Sequence, residues 1–197
     1  KEVGGVRLIL TALKAESAPI IQHFNLNKIS ASFPLYNREN IYLAGTGMGE
    51  KGVSQSMPKI TSFFKDKPID HIINVGISGG SPRETQIGQL YQARSISKEG
   101  VASSFLLNKF HENIIELPLI TVNREIKKWT EEFPDIVDME AFHIIKHIRE
   151  MYPLEKMTII KVVSDYMDIN KRVVTKQDVS IFIQKQMNMI ETVILNG

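Results

Sequence analysis

Three acidic side chains stand where a charge is costly unless it is used or paired. Asp165 directly follows the apolar run Met157 to Val163, with Ser164 between. Burying a carboxylate there without a partner is expensive. Burial also raises its pKa, which suits a proton donor near neutral pH. The structural alternative is a helix N-cap or a salt-bridged residue. Glu16 and Glu140 each fall early in an expected helix, where a carboxylate can simply complement the helix dipole. Taken singly, each of the three is better explained as structural than as catalytic. The glycine-rich runs Gly45-Thr46-Gly47-Met48-Gly49 and Gly76-Ile77-Ser78-Gly79-Gly80 let backbone approach a ligand closely. Each can equally be a plain strand-to-helix turn. Ser78 adds a hydroxyl but lacks the nucleophile-elbow spacing. The first run lacks the dinucleotide-binding spacing, which argues against an NAD-binding oxidoreductase. His23, His71, His111, His143 and His147 show no metal-ligand spacing, and His143 with His147 reads as a surface pair.

Short β-branched runs alternating with amphipathic stretches must position these residues. Val6 to Thr11, Ile41 to Ala44, Asp70 to Val75, Gln89 to Ser95, Leu117 to Val122 and Met157 to Val163 read as strands. Asp70 to Val75, with Ile72, Ile73 and Val75, reads as a strand covered on both faces. Pro118 marks its strand as an edge. Helices are expected over Ala15 to Phe24, Lys51 to Phe64, Ile126 to Phe133, Asp138 to Met151 and Val179 to Leu195; Ile96 to Glu116 resists assignment. The alternation predicts an α/β fold, a three-layer α/β/α sandwich with a mixed, mainly parallel central sheet, formed by residues 1–197 as one domain. In such sheets ligands bind beyond the carboxyl ends of the strands. Four strand ends carry the polar or glycine-rich residues named above, and that recurrence is the strongest signal.

Composition bounds the rest. The chain has 197 residues, 43% hydrophobic and 23% charged, ordinary for a globular domain. A net charge of +2 gives no reason to expect a nucleic-acid or membrane surface. No run of about 18 apolar residues occurs. With no cysteine, disulfides and thiolate metal sites are excluded, which fits a cytoplasmic location. Lys1 to Arg7 carries no signal-peptide pattern, and the missing initial methionine reads as a trimmed or tagged start.

In order along the chain, the motifs resemble the nucleoside phosphorylase family, most nearly its 5′-methylthioadenosine/S-adenosylhomocysteine nucleosidase branch. The match is carried by Leu8 to Ser17, Ile41 to Gly52, His71 to Leu90, Ile136 to Ile144 and Ile159 to Asp168. It covers most of the chain outside Ile96 to Phe133. The combination of VGISGG, DMEA and VSD is specific where no single motif is. The resemblance implies that Glu16 activates water, that Met139 and Glu140 contact ribose, and that Asp165 faces the purine. Ser78, Gly79 and Ser164 fall in the matching strand-end loops. It implies a small-molecule nucleoside substrate, no metal or other cofactor, and a homodimer.

The same resemblance bears on the choice of acceptor. The family's phosphorylases place a GDPxR-like motif after the first strand and an arginine before the third glycine loop. Here those places read Thr11-Ala12-Leu13-Lys14 and Asn74, and Glu16 would repel phosphate, so water is the expected acceptor. The chain also departs from the nucleosidase pattern. Its middle is short, so the aromatic residue that packs on the purine is unassigned among Phe105, Phe110 and Trp129. Asp138 replaces a frequent glutamate and Lys161 a frequent arginine. These departures widen the field to a futalosine-type nucleoside, a site completed by a second subunit, a phosphorylase, or a binding protein without turnover.

Overall fold

The computed structural model describes residues 4–196, so Lys1 to Val3, within the expected leaderless start, lie outside the described residues. The elements follow in the order β1 (Val6–Thr11), α1 (Lys14–Phe24), β2 (Asn27–Lys28), β3 (Leu35–Arg38), β4 (Ile41–Gly45), α2 (Gly49–Phe64), β5 (Ile69–Gly80) and β6 (Leu90–Lys98). Then come β7 (Ser104–Leu106), β8 (Ile115–Thr121), β9 (Ile136–Asp138), α3 (Ala141–Ile148), a 3-10 turn (Leu154–Lys156), β10 (Met157–Asp165), α4 (Lys176–Lys185) and α5 (Met187–Leu195).

Period-two alternation in the strands feeds two apolar layers. Leu8 and Leu10 of β1 pack with Val53, Met57, Ile60 and Phe64 of α2 and with Phe142, Ile145 and Ile148 of α3. Ile9 between them faces the other way, toward Ile20 of α1, Ile183 of α4 and Met187, Ile190 and Ile194 of α5. The α2 positions fall at i, i+4, i+7 and i+11, a single helical stripe.

The sheet has ten strands and is mixed. Parallel ladders join β1 to β4 and β5, β5 to β10, β6 to β8 and β8 to β9. Antiparallel ladders join β2 to β3, β3 to β4, β5 to β9, β6 to β7 and β6 to β10. The strands β5, β10, β6, β8 and β9 therefore close on one another in a ring, and β1, β4, β3 and β2 extend from β5 as a wing. On one edge of β5, β1 pairs as far as Asn74, and β9 takes over at Gly79. Between them that edge has no strand partner. This gap is where the site forms.

Several expectations are corrected. β5 runs through Gly76–Gly80 rather than stopping at Val75, because β10 and β9 supply ladder partners there. Pro118 is not on an edge, since β8 lies between β6 and β9. A register shift between Ala93 and Ser95 sits opposite Pro118, and the Arg94 carbonyl freed there accepts from Leu107 N at 2.9 Å. Ile126 to Phe133 is irregular instead of helical. Its apolar side chains pack inward with Val122, Val137 and Met167, and eight residues are too few to nucleate a helix unaided. The helix expected from Asp138 begins at Ala141, because Asp138 is a strand residue whose carboxylate accepts from Ala141 N at 2.8 Å. The closing helix is two helices broken at Gln186. His143 is buried at 5% exposure rather than part of a surface pair.

Candidate active site

A cavity of about 950 Å³ opens over the gap beside β5, at the carboxyl ends of β1, β5, β9 and β10. All seven residues expected from the sequence line it: Glu16, Ser78, Gly79, Met139, Glu140, Ser164 and Asp165. They come from four separate segments, and the fold brings the three carboxylates into one space.

Glu16 sits in the first turn of α1 with its side chain turned back toward the sheet. Its Oε1 accepts from Ala12 N (3.1 Å) and Leu13 N (2.8 Å), and its Oε2 accepts from Ile77 N (2.8 Å). The Ile77 amide is on the edge of β5 left without a strand partner, so the gap in the sheet creates the donor. Burial raises the pKa of Glu16, opposed by the ammonium of Lys161 and by the three amides. Gly76 makes room for this approach. A Cβ there would lie 2.6 Å from Glu16 Oε2 and 3.2 Å from Lys161 Nζ.

Glu140 precedes α3, and its Oε2 accepts from Gly49 N at 2.8 Å, at the start of α2. Burial, then the nearby Asp138 carboxylate, pushes its pKa up to about 7, with Lys161, the Gly49 amide and Glu16 acting as smaller influences. Asp165 ends β10. Its Oδ2 accepts from Ser164 Oγ at 2.7 Å and its Oδ1 from Met167 N at 2.9 Å. Burial holds it above the ordinary aspartate range in spite of both bonds. Met167, at φ +61°, takes a left-handed conformation that folds the chain back under this carboxylate. Ser78 is 4% exposed and its Oγ has no hydrogen-bond partner, an orphaned hydroxyl at the cavity wall.

Two residues the sequence marked only as departures pair here, Asp138 at the cavity wall and Lys161 behind it. Lys161 Nζ is 3.2 Å from Asp138 Oδ2, with both side chains almost fully buried. Asp138 also accepts from Thr121 Oγ1 at 2.6 Å and from Ala141 N. It thereby fixes the turn on which Met139 and Glu140 ride. The signal for this pair was the lysine in an otherwise apolar strand, a residue rarely buried unless paired.

No aromatic side chain is among the residues lining the cavity. Phe105 packs on Phe142, Phe110 stacks on His71, and Trp129 lies under the Arg83 guanidinium while its Nε1 donates to Phe133 O. Met48, Val122, Ile126, Met139 and Met167 supply the apolar wall instead. Among the described residues no group of three or more acidic or histidine side chains is arranged to hold a metal ion, and no helix is long and apolar enough to cross a membrane.

No protein-family model matches the chain, and no curated protein matches it. Solved structures do. A mutant MTAN of Helicobacter pylori with 5′-methylthioadenosine in the active site is 12% identical, with a TM-score of 0.81 over 98% of this chain and 100% of that one. The 5′-methylthioadenosine/S-adenosylhomocysteine nucleosidase of Neisseria meningitidis, in complex with methylthio-immucillin-A, is 16% identical, with a TM-score of 0.76 over 96% and 98%. The futalosine hydrolase of Helicobacter pylori is 13% identical, with a TM-score of 0.76 over 96% and 97%. The chain shares the α/β nucleoside phosphorylase-type fold of these nucleosidases along nearly its whole length.

Proposed function

We propose that the chain is a purine nucleosidase that hydrolyses the N-glycosidic bond of a 5′-modified purine nucleoside such as methylthioadenosine or adenosylhomocysteine. The observation that carries this reading is the convergence of Glu16, Glu140 and Asp165 on one cavity at the strand ends. The fold it shares with solved MTA/SAH nucleosidases supports it.

Cleavage of the ribosyl bond leaves a purine anion and an oxocarbenium-like sugar. Asp165, held protonated more readily by its burial, donates to the base nitrogen at position 7 and makes the base a better leaving group. Glu16 accepts the proton of the water that attacks the anomeric carbon, and the free hydroxyl of Ser78 bonds to that water or to the sugar. Glu140 accepts from the ribose hydroxyls while Met139 packs on the sugar face. Each acid–base group supplies about 100- to 10,000-fold, so the three must act together. Ser164 holds Asp165 in place through its 2.7 Å bond.

Water is favoured over phosphate because three carboxylates face the cavity and the cations that line it, Lys14, Arg124 and Lys176, are exposed. The buried Lys161 behind the cavity is already bonded to Asp138. We read residues 1–197 as a single three-layer domain with a mainly parallel sheet, since the longest ladders are parallel. A cytoplasmic homodimer goes with this reading; exposed Met48, Val101, Leu106 and Ile115 are available to a second copy.

The test is incubation with methylthioadenosine, adenosylhomocysteine, futalosine and inosine, with and without phosphate, and chromatographic detection of free base. Release without phosphate is expected, and Asp165→Asn should slow it by on the order of 100-fold or more. Absence of release from all four would reject the proposal. Release only with phosphate would identify a phosphorylase.

A further inference from the structure

Among the described residues, Lys161 is the only lysine or arginine that is buried. It does not line the cavity but stands behind it on β10, where its register neighbours are Gly76 on β5 and Tyr91 on β6. The charged groups that act on it are Asp138 from β9, Glu140 from the turn before α3 and Glu16 from α1. Only Asp138 bonds it directly, and Asp138 is itself immobilised by Thr121 and the Ala141 amide. The ammonium and the Glu16 carboxylate both lie over the bare Cα of Gly76, close enough that one added methyl group would touch both.

We propose that Lys161 is a positioning residue: anchored by Asp138, its ammonium is the counter-ion that lets Glu16 and Glu140 occupy one buried cavity as carboxylates. Two carboxylates in a dry site cannot both ionise unaided, since each disfavours the charge on the other. Burial alone would discharge Lys161, yet Asp138, Glu140 and Glu16 outweigh it and hold its pKa above the ordinary lysine value. The ammonium is in turn the main influence opposing the burial of Glu16. The consequence for catalysis rests on the nucleosidase reading; the electrostatic role belongs to the free protein.

The test uses Lys161→Met, Lys161→Arg and the double variant Lys161→Met with Asp138→Asn, which removes the ammonium together with the carboxylate bonded to it should the single change fail to fold. Glutamate carboxyl carbons are titrated by NMR without substrate, and kcat and KM are followed against pH. In the Met variants the Glu16 titration and the acidic limb of kcat should move to higher pH. Their kcat should fall on the order of 100-fold with little change in KM, and Lys161→Arg should restore both. A Glu16 titration in the double variant identical to wild type would overturn the proposal, whatever the kinetics. Wild-type protein that cleaves no nucleoside would sink the nucleosidase reading alone, because the titrations need no turnover.

Discussion

Glu140 carries a conflict between placement and charge. It bonds the Gly49 amide, yet burial and Asp138 raise its pKa from 4.5 to about 7. Between those values the folded chain binds a proton that the unfolded chain has lost. The stability Glu140 contributes is therefore complete below about pH 4.5 and is lost as pH rises through about 7. Glu140→Gln keeps the carbonyl that accepts from Gly49 and removes the titration. Urea unfolding should find the variant close to wild type near about pH 4 and more stable by roughly 1–3 kcal/mol near about pH 8. The same variant should bind ribose less well, so stability gained and affinity lost would come from one atom. At this scale the sequence singled out residues that the fold gathers at one cavity. The apolar run before Asp165 and the glycine run around Ser78 were visible locally. Less visible was the Asp138–Lys161 pair, because its partners are far apart in the chain and only Asp138 reaches the cavity surface.

At the scale of elements, the placement of β5 between β1 and β9 governs the chemistry. The unpartnered stretch of its edge presents the Ile77 amide to Glu16, and the missing side chain at Gly76 lets the carboxylate reach it. Gly76→Ala should push the Glu16 carboxylate off Ile77. The expected result is a loss of activity on the order of 100-fold for a cost of only about 1–2 kcal/mol, because the obstructed atom is a side-chain end. Comparison of kcat with the urea midpoint would reveal the imbalance; a variant that lost stability without losing activity would contradict it. Periodicity located β1, β4, β10 and α2 to within a few residues, since each buries a regular stripe. It could not locate β9, whose three residues owe their extended form to partners on β5 and β8. Nor could it place Pro118 inside the sheet, because the tolerance comes from a bulge on a different strand. The aromatic expected against the base was not found on the cavity, since thioether and aliphatic side chains occupy that wall.

For the whole molecule, ligand binding should be legible from a single chromophore. Trp129 is the chain's only tryptophan, and it packs in the small cluster with Ile126 and Met139, both of which line the cavity. Filling the cavity with a nucleoside or adenine should change Trp129 emission without direct contact. At a ligand concentration about 100 times Kd, binding should stabilise the fold by about 2.7 kcal/mol and raise Tm by several degrees. A ligand that raised Tm while Trp129 emission stayed constant would have bound elsewhere.

The closed ring of strands has a further outcome for handling and storage. Among the described residues, the strands with a single neighbour are β2, of two residues, and β7, of three. Runs that short offer little template for a neighbouring molecule to zip onto, although the exposed Leu106 makes β7 the more adhesive of the two. Concentrated solutions should therefore stay clear until molecules unravel as a whole, and a lysine at Leu106 should lengthen that interval.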